Sequence, residues 1–470
     1  MTSLEHFKSG LALYRAGDLE ACIPEYQAAL RLNGNFLEAH KNLGVAYSKL
    51  KRYEEAAAEY REALRINPYD SEIHNSLGQA FADQGQTEQA AEKYLDALEI
   101  SPFLFTANYN YAGILWKQGN LADAAARYRI AIKQRPNNED AHLNLGIVLA
   151  RLKDYEAAIA EYRECARLKP DYFKPYYNLG TTYRKQNLWD EAITEYRHCL
   201  ALNPEFAEAH FHLGGCLLKK KAWTEAEHCY REAIRLRPDY ADAYCNLGMA
   251  LSRQGRRKAS LAAYREAVRL DPADSTARGN VAVRLEESGK VKEAEKECRE
   301  VLALNPKDVR AHFNLGNLLR KSSRYEEAID EYRAVLDSKP DHFGACLNLG
   351  VTYERRKAWA WAAIYARRAV ALKPESAKAH SNLGTDLSMM DELPEAIAEL
   401  REAVRLKPKE AGYRIFLGLT LTQDWQFVEG QKQITCAICR RPWNPIFWVA
   451  LGLNLLYAFI CWFFRVPKPQ

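Results

Sequence analysis

The chain has 470 residues, 48% of them hydrophobic and 27% charged, with 66 Lys+Arg against 61 Asp+Glu for a formal net charge of +5. A disordered chain would carry fewer apolar residues and a larger net charge, and a collagen would need far more than its 24 glycines. Length alone suggests about three domains, but an internal period overrides that prior.

From Ser3 onward the chain divides into thirteen frames of 34 residues with no insertion or deletion, and 26 residues remain. Counting Ser3 as position 1, position 8 is Gly10, Gly44, Gly78, Ala112, Gly146, Gly180, Gly214, Gly248, Ala282, Gly316, Gly350, Gly384 and Gly418. Position 20 is Ala in ten of the first twelve frames, with Cys22 and Ser260 as the other small residues. Position 32 is Pro from Pro68 through Pro442.

Apolar spacing within each frame is helical over two stretches, as in Ala39, Leu43, Ala46, Tyr47 and then Tyr53, Ala56, Ala57, Tyr60, Ala63, Leu64. Small residues at positions 8 and 20 let two antiparallel helices approach closely. Gly17, Gly85, Gly119, Gly255 and Gly289 fall between them, where a left-handed residue ends the first helix. Pro at position 32 cannot continue a helix interior and ends the second. Each frame is predicted to be a helical hairpin that needs its neighbours to bury its apolar faces.

This pattern resembles the tetratricopeptide repeat family, whose signature has a small residue at 8, Ala at 20, an aromatic at 24, Ala at 27 and Pro at 32. Tyr26, Tyr60, Tyr94, Tyr128, Tyr162, Tyr196, Tyr230, Tyr264 and Tyr332 hold position 24. Cys298, Ala366 and Leu400 depart from it there, Val301 and Val335 depart at position 27, and the thirteenth frame carries Gly430 and Ile434. The resemblance implies an all-α, right-handed α-solenoid of about thirteen repeats over residues 3–444.

After Pro442 the composition changes, and residues 446–464 contain no charge and one amide, Asn454. At 1.5 Å per residue these 19 residues span about 28 Å, close to the roughly 30 Å hydrocarbon core of a bilayer. Arg440 and Arg441 flank one end, Arg465 and Lys468 the other, with Trp443, Trp448 and Trp462 near the ends. The segment is predicted to be one C-terminal transmembrane helix. The alternative, a helix capping the open end of the solenoid, calls for a polar outer face that this segment lacks. Without an N-terminal signal region, the chain resembles a single-pass, tail-anchored membrane protein with its solenoid in the cytoplasm. Ala450, Asn454 and Ala458 form a small and polar stripe suited to self-association, or to an amide tolerated in a single span.

Two rows carry the functional reading. Asn recurs at position 6 as Asn42, Asn110, Asn144, Asn178, Asn246, Asn280, Asn314, Asn348 and Asn382. A carboxamide donates and accepts, so such a ladder can hold the backbone of an extended peptide. In the resembled family these residues line the concave face, and the row is similar to the repeat region of O-linked N-acetylglucosamine transferases, where a ladder holds substrate peptide. Asn is also common at this position among such repeats. Tyr109, Tyr177 and Phe211 at position 5 add apolar surface between the rungs. Position 13 is basic in nine frames, among them Lys49, Arg151 and Lys321. The dipole of the first helix accounts for a cation there without a ligand. Chaperone-binding members clamp a carboxylate with Lys at position 5 and Asn at position 9, which only Lys41 and Asn317 match in part.

No phosphate loop, HExxH or dinucleotide fingerprint occurs. Seven His occupy position 4, where packing between repeats explains them. The lone Cys436-Ala-Ile-Cys439 reads as packing, so no catalytic residue, metal or cofactor is expected. Residues 1–410 carry 60 Lys+Arg against 59 Asp+Glu, which disfavours nucleic acid as a partner. The sequence therefore points to a non-catalytic, membrane-anchored scaffold for extended segments of partner proteins. A substrate-delivering subunit of a separate enzyme, such as a glycosyltransferase, is the alternative.

Overall fold

The structure, a computed structural model, describes residues 1–440 and 444–463, and every regular element among them is an α-helix. The chain divides into two compact units, Met1–Pro238 and Asp239–Gln470.

The first unit holds seven hairpins. The helices of the first four are α1 (Ser3–Arg15), α2 (Leu19–Leu32), α3 (Leu37–Lys49), α4 (Tyr53–Ile66), α5 (Ser71–Asp83), α6 (Thr87–Ile100), α7 (Phe105–Lys117) and α8 (Leu121–Gln134). Then follow α9 (Glu139–Arg151), α10 (Tyr155–Leu168), α11 (Phe173–Lys185), α12 (Trp189–Leu202), α13 (Ala207–Lys219) and α14 (Trp223–Leu236). Odd-numbered helices begin at position 1 of the frame and even-numbered ones at position 17.

The second unit repeats the plan with α15 (Ala241–Arg253), α16 (Arg257–Leu270), α17 (Ser275–Glu287), α18 (Val291–Leu304), α19 (Val309–Lys321) and α20 (Tyr325–Ser338). It continues through α21 (Phe343–Arg355), α22 (Trp359–Leu372), α23 (Ala377–Met389), α24 (Leu393–Leu406), α25 (Ala411–Gln423) and α26 (Phe427–Arg440), and closes with α27 (Pro445–Phe463).

Local chemistry fixes these boundaries. Thr2 and Glu5 form a capping box at α1, and Asp70, Asn138, Asp274, Asp308 and Ser376 each accept a backbone N–H at the start of an odd-numbered helix. Every residue at position 15 has positive φ. The five glycines do so with Lys51, Lys153, Asn187, Lys221, Ser323, Lys357, Asp391 and Trp425. The bonds Gly17 N–H to Tyr14 O (3.1 Å) and Asp18 N–H to Leu13 O (3.0 Å) show why: a Schellman turn satisfies the last carbonyls of the helix and requires one left-handed residue.

Within a hairpin, the glycine at position 8 lets the Tyr ring at position 24 lie on the backbone of the facing helix. A Cβ on Gly146 would come within 2.6 Å of Tyr162, and one on Gly44 within 2.7 Å of Tyr60. Leu400 and Ile434 crowd Gly384 and Gly418 just as closely, at 2.6 Å, and only where position 24 is alanine does the restriction relax, since a Cβ on Gly350, opposite Ala366, would meet nothing closer than 3.4 Å. In each unit odd-numbered helices touch their odd-numbered successors, as α9 does α11 and α21 does α23, with no equally extensive contact between even-numbered ones. Odd-numbered helices thus form the more tightly spaced layer of each stack.

The segment expected to span a membrane is the terminal helix. Among the described residues, no helix is long and apolar enough to cross a membrane. The apolar segment is α27, folded against α25 and α26. Ala450 and Asn454 are buried in that contact, and Asn454 Nδ2 donates to Thr422 Oγ1. The small and polar stripe read as a self-association surface is thus used within the chain. Position 20 of the last frame must be glycine here, because a Cβ on Gly430 would lie 2.8 Å from Gly418 O and 3.1 Å from Asn454 Nδ2. Arg441, Trp443, Arg465 and Lys468, the other residues read as membrane flanks, lie outside the described residues.

Candidate functional site

All nine Asn of position 6 fall on odd-numbered helices and are half-buried, but their carboxamides differ in what they already bind. Asn110 Nδ2 donates to Asn75 Oδ1 (3.2 Å), Asn144 Nδ2 to Tyr109 OH (2.8 Å) and Asn348 Nδ2 to Asn317 Oδ1 (2.8 Å). Asn280 lies 4.0 Å from Cys245 Sγ and accepts from Arg310 at 3.1 Å. Asn382 Nδ2 is buried without a partner. Among the described residues no side-chain hydrogen bond engages Asn42, Asn178, Asn246 or Asn314. The row is therefore not uniform: some rungs bind the preceding repeat, and four retain free hydrogen-bonding capacity.

The position 5 aromatics pack first on their own hairpin. Tyr109 meets Tyr128 at 5.6 Å between centroids, Tyr177 meets Tyr196 at 6.0 Å and Phe211 meets Tyr230 at 5.9 Å. Around α11 and α13 they join a larger cluster in which Tyr177 touches Phe206 (4.9 Å) and His212 (5.9 Å). His212 stands at position 6, in the place of Asn. Burial, with the Arg184 charge adding, pushes its imidazole down to about 4, so it is neutral at ordinary pH. Lys41 and Asn317 do not form a carboxylate clamp, since Lys41 pairs with Glu72 (2.8 Å) and Asn317 accepts from Tyr332 and Asn348. In the basic row, Lys49 lies 4.5 Å from the Tyr14 ring centroid and Lys321 pairs with Glu286 at 2.5 Å.

Position 4 does more than fill space. His40, His142, His312 and His380 each place Nδ1 at 2.5–2.6 Å from a Glu nineteen residues on, at position 23 of the same repeat. Nε2 of each reaches a carbonyl at position 32 of the preceding repeat, at 2.8–3.2 Å. The clasp survives changes of residue: Arg278 bonds Glu297 and Pro272 O, and Asn108 donates to Pro102 O. The Glu59 bond raises the His40 imidazole above its ordinary range. At His142 burial opposes charge, and the bonds to Glu161 and Pro136 O outweigh it.

Sequence reasoning missed a buried acid in the second unit. Asp386, on α23, is fully buried with neither carboxylate oxygen hydrogen-bonded, and Glu354 of α21 has one buried oxygen in the same state. Burial, with the negative charge of Glu354 adding, pushes the Asp386 carboxyl up to about 9. Its signal in the sequence is an acid at position 10, where the flanking frames carry Thr352 and Thr420. Among the described residues no group of three or more His, Cys, Asp or Glu could hold a metal ion.

The hairpin geometry and the four-residue signature at positions 8, 20, 24 and 32 define a helical-repeat protein. Comparison with known families agrees. A tetratricopeptide repeat profile matches residues 7–71 and 313–377, and a second TPR repeat profile matches 78–119 and 113–153. The profile of the cilia and flagella-associated protein 70 C-terminal domain matches residues 140–343. The chain carries tetratricopeptide repeats over the residues these profiles match.

Solved structures similar to it include YrrB, described as a TPR protein with an unusual peptide-binding site. That match has 24% identity over 39% of this chain and 95% of that one, with a TM-score of 0.36. MamA aligns at 25% identity over 35% of this chain and 97% of that one, with a TM-score of 0.34. The APC/C hetero-tetramer Cut9-Hcn1 aligns at 11% identity over 95% of both chains, with a TM-score of 0.43. No curated protein matches the chain.

Proposed function

We propose that the protein is a non-catalytic scaffold whose odd-numbered helices bind extended segments of partner proteins. The observation that carries this reading is the set of half-buried carboxamides without an internal partner, Asn42, Asn178, Asn246 and Asn314. A carboxamide with free donor and acceptor capacity bonds peptide N–H and C=O groups whatever the side chains. Tyr177 and Phe211, beside neutral His212, add an uncharged aromatic surface next to the Asn178 rung. Membrane attachment belongs to the same reading in a form other than a span, through the outward apolar face of α27.

The test is selection of binders from a displayed random-peptide library on the full chain, followed by titration of the selected peptides against variants. Asn178→Ala is expected to weaken binding roughly tenfold, because it leaves a peptide group unpaired in a partly desolvated groove. Asn348→Ala, whose amide is already held by Asn317, is expected to change affinity less. Selected peptides with equal affinity for wild type and Asn178→Ala would remove the ladder from the site.

A further inference from the structure

The helix α27 has two unlike faces once it is docked. Ala450 and Asn454, four residues apart, point into the last hairpin. Val449 and Leu456 lie on the far side of the helix from Asn454, with Leu453 and Leu455 flanking them, and together with Ile446 in the first turn these residues are 48–67% exposed. An outward row of large aliphatic side chains on the end of a repeat stack is the reverse of the polar outer face a terminal cap carries, and a contiguous apolar patch marks an interaction surface.

Charge indicates what covers it. Residues 411–470 carry six Lys+Arg and two Asp+Glu, so this end holds +4 of the net +5 of the chain, and residues 1–410 are nearly neutral. A second copy placed face to face would bring two ends of the same sign together. An anionic bilayer supplies both an apolar medium for the aliphatic row and the opposite charge for the basic residues.

The docked geometry also fixes how the helix meets the lipid. Asn454 is the tenth of nineteen residues, so the contact with α25 and α26 sits at the middle of the helix. A spanning helix would carry that contact, and with it the neighbouring Asp424, Glu429 and Lys432, into hydrocarbon, where charge is strongly disfavoured. We infer that α27 lies along the surface of an anionic membrane with Ile446, Val449, Leu453 and Leu456 inserted and Asn454 still bound to Thr422. This rests on the membrane-attached part of the proposed function and is independent of peptide binding, which is read without vesicles.

Co-sedimentation of the full chain with phosphatidylcholine vesicles, with and without phosphatidylserine, tests it. The expected result is pelleting that requires phosphatidylserine, weakens as salt rises, and falls at least tenfold in Leu453→Glu/Leu456→Glu. That variant should keep the wild-type melting curve, because both side chains point away from the fold. Val428→Glu, which replaces another exposed apolar residue near this end, should pellet like wild type. Equal pelleting of the double variant, absence of pelleting, or a stable dimer abolished by the double substitution would each overturn the inference. Resistance of the bound protein to alkaline carbonate extraction would overturn it in favour of a span.

Discussion

Asp386 is a carboxyl group buried between repeats with no hydrogen bond to either oxygen. An aspartate in that state is held as the neutral acid, and the energy needed to keep it so is drawn from folding. The sign follows from its raised pKa. The folded chain binds the proton more tightly than the unfolded one, so stability is greatest below the ordinary aspartate range and declines as pH rises toward about 9. Asp386→Thr, which copies Thr352 and Thr420 of the neighbouring frames, is expected to raise the melting temperature. The gain should grow between pH 5 and pH 8 and reach about 2–4 kcal/mol at the upper end. Urea unfolding at the two pH values would measure it, and a pH-independent gap would mean the carboxyl is not held neutral. The position 4 residues show the opposite economy. His and Glu nineteen residues apart look unrelated along the sequence, because only the hairpin brings positions 4 and 23 together.

For the hairpin, the decisive contact is between position 8 and position 24. Gly146→Ala is expected to lower stability by about 1–3 kcal/mol, since the methyl group would overlap the Tyr162 ring and force it to shift. Gly350→Ala, facing Ala366, is expected to be neutral or slightly stabilising, because helix propensity then dominates. Equal effects in the two frames, read by denaturant unfolding, would show that the ring is not the cause. Positions 8, 20, 24 and 32 were legible in the sequence because size alone dictates them. Position 15 was legible only where it is glycine. At Lys51, Lys153 and Trp425 the same left-handed turn is imposed by the Schellman bonds against residue preference, and only the register of the frame points to it. The site was less legible than the fold. The Asn row could be counted, but which rungs are free depends on the neighbouring repeat, as Asn317 does for Asn348 and Tyr109 for Asn144. Apolarity around all sides of α27 suggested lipid on every side. The docking of one face, in which Ala450 joins Ile415 and Ile438 and Asn454 bonds Thr422 beside Gly430, uses frame positions whose meaning appears only when the helix folds back.

Over each stack as a whole, neighbouring repeats are coupled by many copies of a few bonds, so a change in one class of bond acts along the array. The histidine clasps are such a class. His40 and His142 have imidazoles raised by their partners, so the stability they contribute is full below the ordinary histidine range and is lost as pH rises through the raised value. His142→Asn keeps a donor for the Pro136 carbonyl, as Asn108 does for Pro102, and removes the ion pair. The variant is expected to be about 0.5–1 kcal/mol less stable than wild type at pH 5.5, with the gap closing by pH 8.5. A gap of constant size across that range would assign the role of His142 to packing.

The contact among Gly430, Thr422 and Asn454 has a consequence for how such a chain can change in length. An interior frame presents the same 34-residue register on both sides, so recombination between frames can add or remove one without altering any joint. The thirteenth frame has exchanged the alanine of position 20 for a glycine that receives an amide from α27. A frame copied beyond it would meet a surface shaped for that amide. The array is thus free to lengthen by duplication inside its run, whereas the joint between the thirteenth frame and α27 is shaped for that amide and does not accept an ordinary frame in its place.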